Sequence, residues 1–185
     1  MLMSIIPQTI NHMPAISPVS IVSVNWSRTF IRACLQTALE ETPTSKNVAQ
    51  SIPIFANEIC LGNEETCGIH TSADKLASFQ NICGTDNSLT IYVGDTSTDF
   101  DFLVTADVGI CVRDEPIGSG QAELKETLER VGIEVFRLSA TAWQKKGEQG
   151  RHKGDNQGQE KKNVWWVIDL MEVVRFIEDS KSLLT

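Results

Sequence analysis

Three carboxylates, Asp95, Asp99 and Asp101, fall within seven positions of the stretch IYVGDTSTDFDFLVTADVGICV (91 to 112). Like charges this close repel, so the crowding is tolerated only where a cation, hydrogen-bond donors or water offset it. The run before them, LTIYV (89 to 93), is apolar, and Gly94 follows it directly. Hard oxygen ligands at a strand end suit Mg2+, which keeps several waters and takes only one or two protein carboxylates. Asp95 and Asp99, four apart across the start of the next helix, are the candidate metal ligands. An Asp in this place can equally cap that helix, and the GDxxxD spacing alone leaves both roles open.

Two other positions suit an anion. Ser23, within IVSVNWS, closes another apolar run, where its hydroxyl and the backbone amides of Val24 and Asn25 are placed to hold a phosphate oxygen. Lys75 falls in the first turn of a helix expected over 72 to 83. A cation there opposes the helix dipole and is normally solvated unless it is aimed at an anion. The phosphate-binding candidates are therefore Ser23, Val24, Asn25 and Lys75. A hydroxyl, a lysine and GDxxxD, each at a strand end or helix start, make a phosphate-handling set.

The elements that position these residues alternate. VSIVSV (19 to 24) has the β-branched run of a strand buried on both faces, and the helix after it carries Trp26, Phe30, Cys34, Leu35, Ala38 and Leu39 at helical spacing, with Ser27 as its N-cap. ETPTSKN (41 to 47) reads as a breaker-rich loop, IPIFAN (52 to 57) as a strand, and Glu58 to His70 as a polar loop. SADKLASFQNIC is a helix capped by Ser72. LTIYV is a strand, TDFDFLVTA (98 to 106) a short helix, and VGICV (108 to 112) a strand. AELKETLERVG (122 to 132) is an amphipathic helix ending on Gly132, and IEVFRL (133 to 138) a fifth strand. This rhythm predicts an α/β fold, a Rossmann-like, mostly parallel sheet with helices on both faces. In such sheets ligands bind beyond the carboxyl ends of the strands, where Ser23 and Asp95 fall.

Past residue 143 the composition changes. QKKGEQGRHKGDNQGQEKKN (144 to 163) has no aliphatic or aromatic residue and holds six Lys or Arg against three Asp or Glu. With nothing apolar to bury, it reads as a disordered polar and basic insert between a core over 1 to 143 and a closing helix over 164 to 185. That helix, VWWVIDLMEVVRFIEDS, is expected to pack Trp166, Leu170, Val173 and Ile177 on the core. No aromatic interleaves the basic residues to stack on bases.

Composition narrows the partners. The 185 residues, 41% apolar and 22% charged, suffice for a globular core. A formal net charge of -8 disfavours nucleic acid and anionic membrane surfaces, and a small anionic ligand would then need locally placed positive groups or a metal. The phosphate-handling set makes a small phosphorylated molecule the expected ligand, with any protein partner left open. Five cysteines without a CxxC pair fit reduced thiols rather than a disulfide framework or a zinc site. No apolar window reaches 18 residues and the N-terminal stretch lacks the pattern of a secretory signal, which together predict a soluble cytoplasmic protein.

The order Ser23, Lys75, Asp95 with Asp99 resembles the haloacid-dehalogenase-like (HAD) hydrolase superfamily, in particular its phosphoserine-phosphatase-like branch. Ser23 matches the second motif of that superfamily, Lys75 in TSADKL the third, and VGDTSTD the fourth, over roughly residues 17 to 138. The resemblance implies a Mg2+-dependent phosphoric monoester hydrolase in which Asp95 and Asp99 hold the metal and Ser23 and Lys75 the phosphoryl group. It also implies a nucleophile motif, DxDxT, on a strand between those of Ser23 and Asp95 in the sheet. No DxD precedes Ser23; the one DxD, Asp99-Phe100-Asp101, lies inside the fourth motif. The chain thus resembles the C-terminal part of such a phosphatase, beginning after its nucleophile strand and inactive alone. The alternative is a non-catalytic HAD-like binding or regulatory module.

Overall fold

The computed structural model describes residues 19–39, 43–57, 69, 71–83, 89–151 and 162–184. The chain forms two compact units, Met1–Asp86 and Asn87–Thr185.

In the first unit, β1 (Ile21–Ser27) pairs in parallel with β2 (Ile54–Asn57). Between them run α1 (Arg28–Ala38) and α2 (Pro43–Ser51), and α3 (Ser72–Cys83) follows. Ser27 caps α1 as its sequence position requires, its hydroxyl accepting from Phe30 N at 3.0 Å. The breaker-rich loop expected over 41 to 47 is instead largely the start of α2. Proline is well tolerated at a first helical position, where its missing N–H would have had no partner, and Pro43 opens this helix. Arg32 closes the other end of α2 by donating to Ala49 O and to Gln50 O, the latter at 3.3 Å. Leu35, Leu39, Ala49, Ile54 and Ala56 form the unit's core. The N-cap of α3 is Thr71 rather than Ser72: Asp74 N donates to Thr71 Oγ1 (3.1 Å), and Thr71 N donates back to Asp74 Oδ2 (2.9 Å).

The second unit is a four-stranded, wholly parallel sheet in the order β3 (Ile91–Gly94), β4 (Val108–Val112), β6 (Asn163–Val167), β5 (Glu134–Arg137). The helical elements are a 3-10 turn (Ser97–Asp99), α4 (Phe100–Thr105), α5 (Ser119–Arg130), α6 (Ala140–Arg151) and α7 (Leu170–Leu184). Val108, Ile110, Trp165 and Val167 face Val173 and Phe176 of α7, with Trp143 of α6 packed beside them. On the other face Cys111 and Val164 meet Leu103 of α4 and Leu124 and Leu128 of α5. Both faces are covered, as parallel sheets require, and the Rossmann-like α/β expectation holds.

Two expectations about the C-terminal region change. VWWV is not helical but forms β6, and Trp165 is its buried indole while Trp166 is half-buried on the opposite face. Adjacent β-branched and aromatic residues favour a strand, and the closing helix starts only after Asp169, whose Oδ1 accepts from Glu172 N at 3.0 Å. The boundary expected at 143/144 falls inside α6, so residues 144–151 are helical rather than an unstructured insert. Residues 152–161 lie outside the described residues. At the far end, Lys162 Nζ reaches Thr105 O at 3.4 Å and Asn163 already pairs in the sheet.

Candidate functional site

The GDTSTD turn leaves β3 at its carboxyl end and is built around Asp99. Asp99 is 5% exposed, and four donors fall on its carboxylate. Tyr92 donates its hydroxyl to Oδ1 at 2.6 Å. Oδ2 accepts from Asp95 N (3.1 Å), Thr96 N (3.1 Å) and Thr96 Oγ1 (3.0 Å). The crowded charge of Asp99 is offset by backbone and side-chain donors, which favour a carboxylate strongly. Gly94 makes this possible, since a Cβ at that position would lie 2.6 Å from Asp99 Cγ.

Asp99 therefore braces the turn and fixes the main chain of Asp95, which begins it. Tyr92 completes the brace from the strand below, its ring stacked on Phe102 at 4.5 Å. Its role was not legible from the GDxxxD spacing, although a tyrosine three residues before the motif's Asp is a signal in retrospect. Asp101 lies in the first turn of α4, half-buried.

Burial, then the charge of Asp99, its hydrogen bond and Asp95 all push the Tyr92 phenol far above its ordinary value of 10.0. Burial likewise raises the Cys111 thiol, from 9.0 to about 12. Both groups are neutral acids that hold their protons more tightly in the folded chain. Below their ordinary values folded and unfolded chains are equally protonated at these sites and the contribution is complete. Above them the unfolded chain releases protons that the folded one retains, so stability falls as pH rises. We expect the urea midpoint to drop progressively above pH 9, and less steeply in Tyr92→Phe; an unchanged midpoint up to pH 11 would contradict the burial of both groups.

The phosphate candidates all belong to the first unit. Ser23 is the last residue of β1 in regular register, opposite Ala56, and the pairing shifts between it and Ser27. Val24 and Asn25 occupy that irregular stretch. Asn57, at the end of β2, clamps it by donating Nδ2 to Val24 O at 2.8 Å, while its Oδ1 is buried without a hydrogen-bond partner among the described residues. Sequence reasoning did not single out Asn57, because a polar residue closing a strand looks like any turn residue. Lys75 is 4% exposed on α3, the helix that packs against β1. Lysine is almost never this buried unless its ammonium is engaged.

The Asp95 carboxylate has the chemistry for Mg2+, and Asp99 adds an oxygen donor whose lone pairs are already drawn on by four hydrogen bonds. Among the described residues no three His, Cys, Asp or Glu side chains group as a metal site. Mg2+ accepts so small a protein share because it retains its waters. Among the described residues no helix is long and apolar enough to cross a membrane. No family model, curated protein or solved structure matches the chain.

Proposed function

We propose that the chain carries the phosphate- and Mg2+-binding elements of a HAD-like phosphoric monoester hydrolase and lacks its nucleophile. The observation that carries this is Lys75: a buried ammonium on the helix that packs against the strand bearing Ser23. A lysine held out of solvent on that helix is a cation of the kind that, with a strand-end serine hydroxyl and backbone amides, suits a phosphoryl group. The braced turn presenting Asp95 at the carboxyl end of β3 supports the same function. So does the place of β3 at one end of its sheet, where the resemblance puts the nucleophile strand as its neighbour.

In this function Ser23 and Lys75 hold phosphoryl oxygens, Asp99 and Tyr92 fix the turn, and Asp95 takes the metal. Mg2+, when bound, neutralises charge on the phosphoryl oxygens. The substrate is a small phosphorylated molecule.

The purified chain should hydrolyse an aryl phosphate with Mg2+ weakly or not at all, since it lacks both the nucleophile and the general acid, the latter alone worth about 10²- to 10⁴-fold. Fusing a strand that ends in DxDxT ahead of residue 17 should restore Mg2+-dependent turnover, and Asp95→Asn should abolish it. Turnover by the unmodified chain that survives Asp95→Asn would overturn the proposal, and a folded fusion without turnover would favour the binding module.

A further inference from the structure

The carboxyl edge of the second unit holds a basic feature that the GD turn does not use. Arg113 directly follows β4, and its guanidinium carbon lies over the Trp166 ring of β6, 5.5 Å from the centroid. Arg137, from β5 on the other side of β6, lies over the same ring at 4.4 Å. Arg137 is neutralised by Glu172 at 2.6 Å. Arg113 has no carboxylate or hydrogen-bond acceptor for its guanidinium among the described residues.

Its placement is fixed from three directions. Arg113 N donates to Val167 O at 2.9 Å, which ties the residue to β6. The next residue is held as firmly: Asp114 N donates to Gln121 Oε1 (2.9 Å), and Gln121 Nε2 returns a bond to Asp114 Oδ2 (3.0 Å). Gln121 is only 8% exposed, so this knot is part of the core. Trp166 supplies the third constraint. A guanidinium held over an aromatic ring by cation–π attraction can keep N–H donors available, and such donors can grip an oxyanion by two parallel hydrogen bonds. An arginine serving only solubility needs none of this fixing, and pre-organisation is what lowers the cost of binding.

We propose that Arg113, seated on Trp166, is a binding site for a phosphoryl oxyanion of a small ligand, at the carboxyl edge of β4 and β6. The Arg113 side chain turns toward β6, whereas β3 and Asp95 lie on the other side of β4. The site therefore does not depend on the phosphatase assignment.

The test is a titration of the full chain with inorganic phosphate at constant ionic strength and without Mg2+, following the Trp166 indole N–H by NMR, with Trp166→Phe identifying its signal. A saturable shift is expected. Arg113→Met, which keeps the stem on the ring and removes the charge, should weaken binding about tenfold or more, in line with the loss of a bidentate charged contact. Arg113→Lys should retain part of it. Asp95→Asn, which removes no anion-binding group, should not weaken it. No saturable shift in the parent chain, or one undiminished in Arg113→Met, would overturn the assignment.

Discussion

Replacing Gly109 with alanine should destabilise the protein by about 3 kcal/mol or more, a fall of roughly 6 to 12 °C in melting temperature. A Cβ at Gly109 would stand 1.9 Å from Leu103 O and 2.9 Å from Leu103 Cα. These are backbone atoms of α4, so no side-chain rotation relieves the overlap; the helix must lift off the sheet. Strand propensity points the other way, since alanine in place of an interior glycine normally gains about 0.5 to 1 kcal/mol. Packing wins because the overlap is far inside van der Waals contact. Gly120→Ala is the internal control: its Cβ would meet nothing nearer than Thr96 Cγ2 at 3.7 Å, and a small gain is expected. Thermal melts of the two variants should move in opposite directions, and a neutral Gly109→Ala would mean that α4 is not seated on β4 as described.

Asp99→Ala should cost a similar amount, about 3 kcal/mol or more. It removes the acceptor of the Tyr92 hydroxyl, the amides of Asp95 and Thr96, and the Thr96 hydroxyl in one step. Each buried donor left without a partner costs about 1 to 3 kcal/mol, reduced where water enters. Tyr92→Phe removes one of the four donors and should cost about 1 kcal/mol. The double variant should be less destabilised than the sum of the two, because the groups share one network. Urea unfolding of the three variants decides the matter; an Asp99→Ala loss below 1 kcal/mol would show that the turn does not depend on its brace.

Much of this architecture was legible in the sequence where a single period dominated. The apolar runs before Ser23 and Gly94, VGICV, and the helix over 72 to 83 each follow one pattern, bounded by polar or small residues. Failure came where two patterns abut. VWWV runs into the helical repeat of Leu170, Val173 and Ile177 with only Ile168-Asp169 between, so a strand and a helix read as one helix. Tertiary contacts separate them: Trp165 packs into the core against Phe136, 5.9 Å between ring centroids. Residues 144–151 looked unstructured because they bury nothing apolar of their own. They extend a helix that begins at Ala140 and is anchored by Trp143, which meets Phe176 edge-on at 5.7 Å.

The candidate site was legible in residue type and not in role. GDxxxD marks two carboxylates, but only three-dimensional pairing distinguishes Asp99, drawn into the core by Tyr92, from Asp95, whose position that brace fixes. For Lys75 the helix alone allowed either a solvated cation or one aimed at an anion, and its burial became visible only in the fold.

The most direct measurement of the central claim is Mn2+ binding, as a paramagnetic substitute for Mg2+, followed by water-proton relaxation in the parent chain, Asp95→Asn and Arg113→Met. The expected result is weak, saturable relaxation enhancement that Mg2+ displaces, present in Arg113→Met and lost in Asp95→Asn. Enhancement of equal strength in Asp95→Asn would contradict the assignment of this turn as the metal-bearing element.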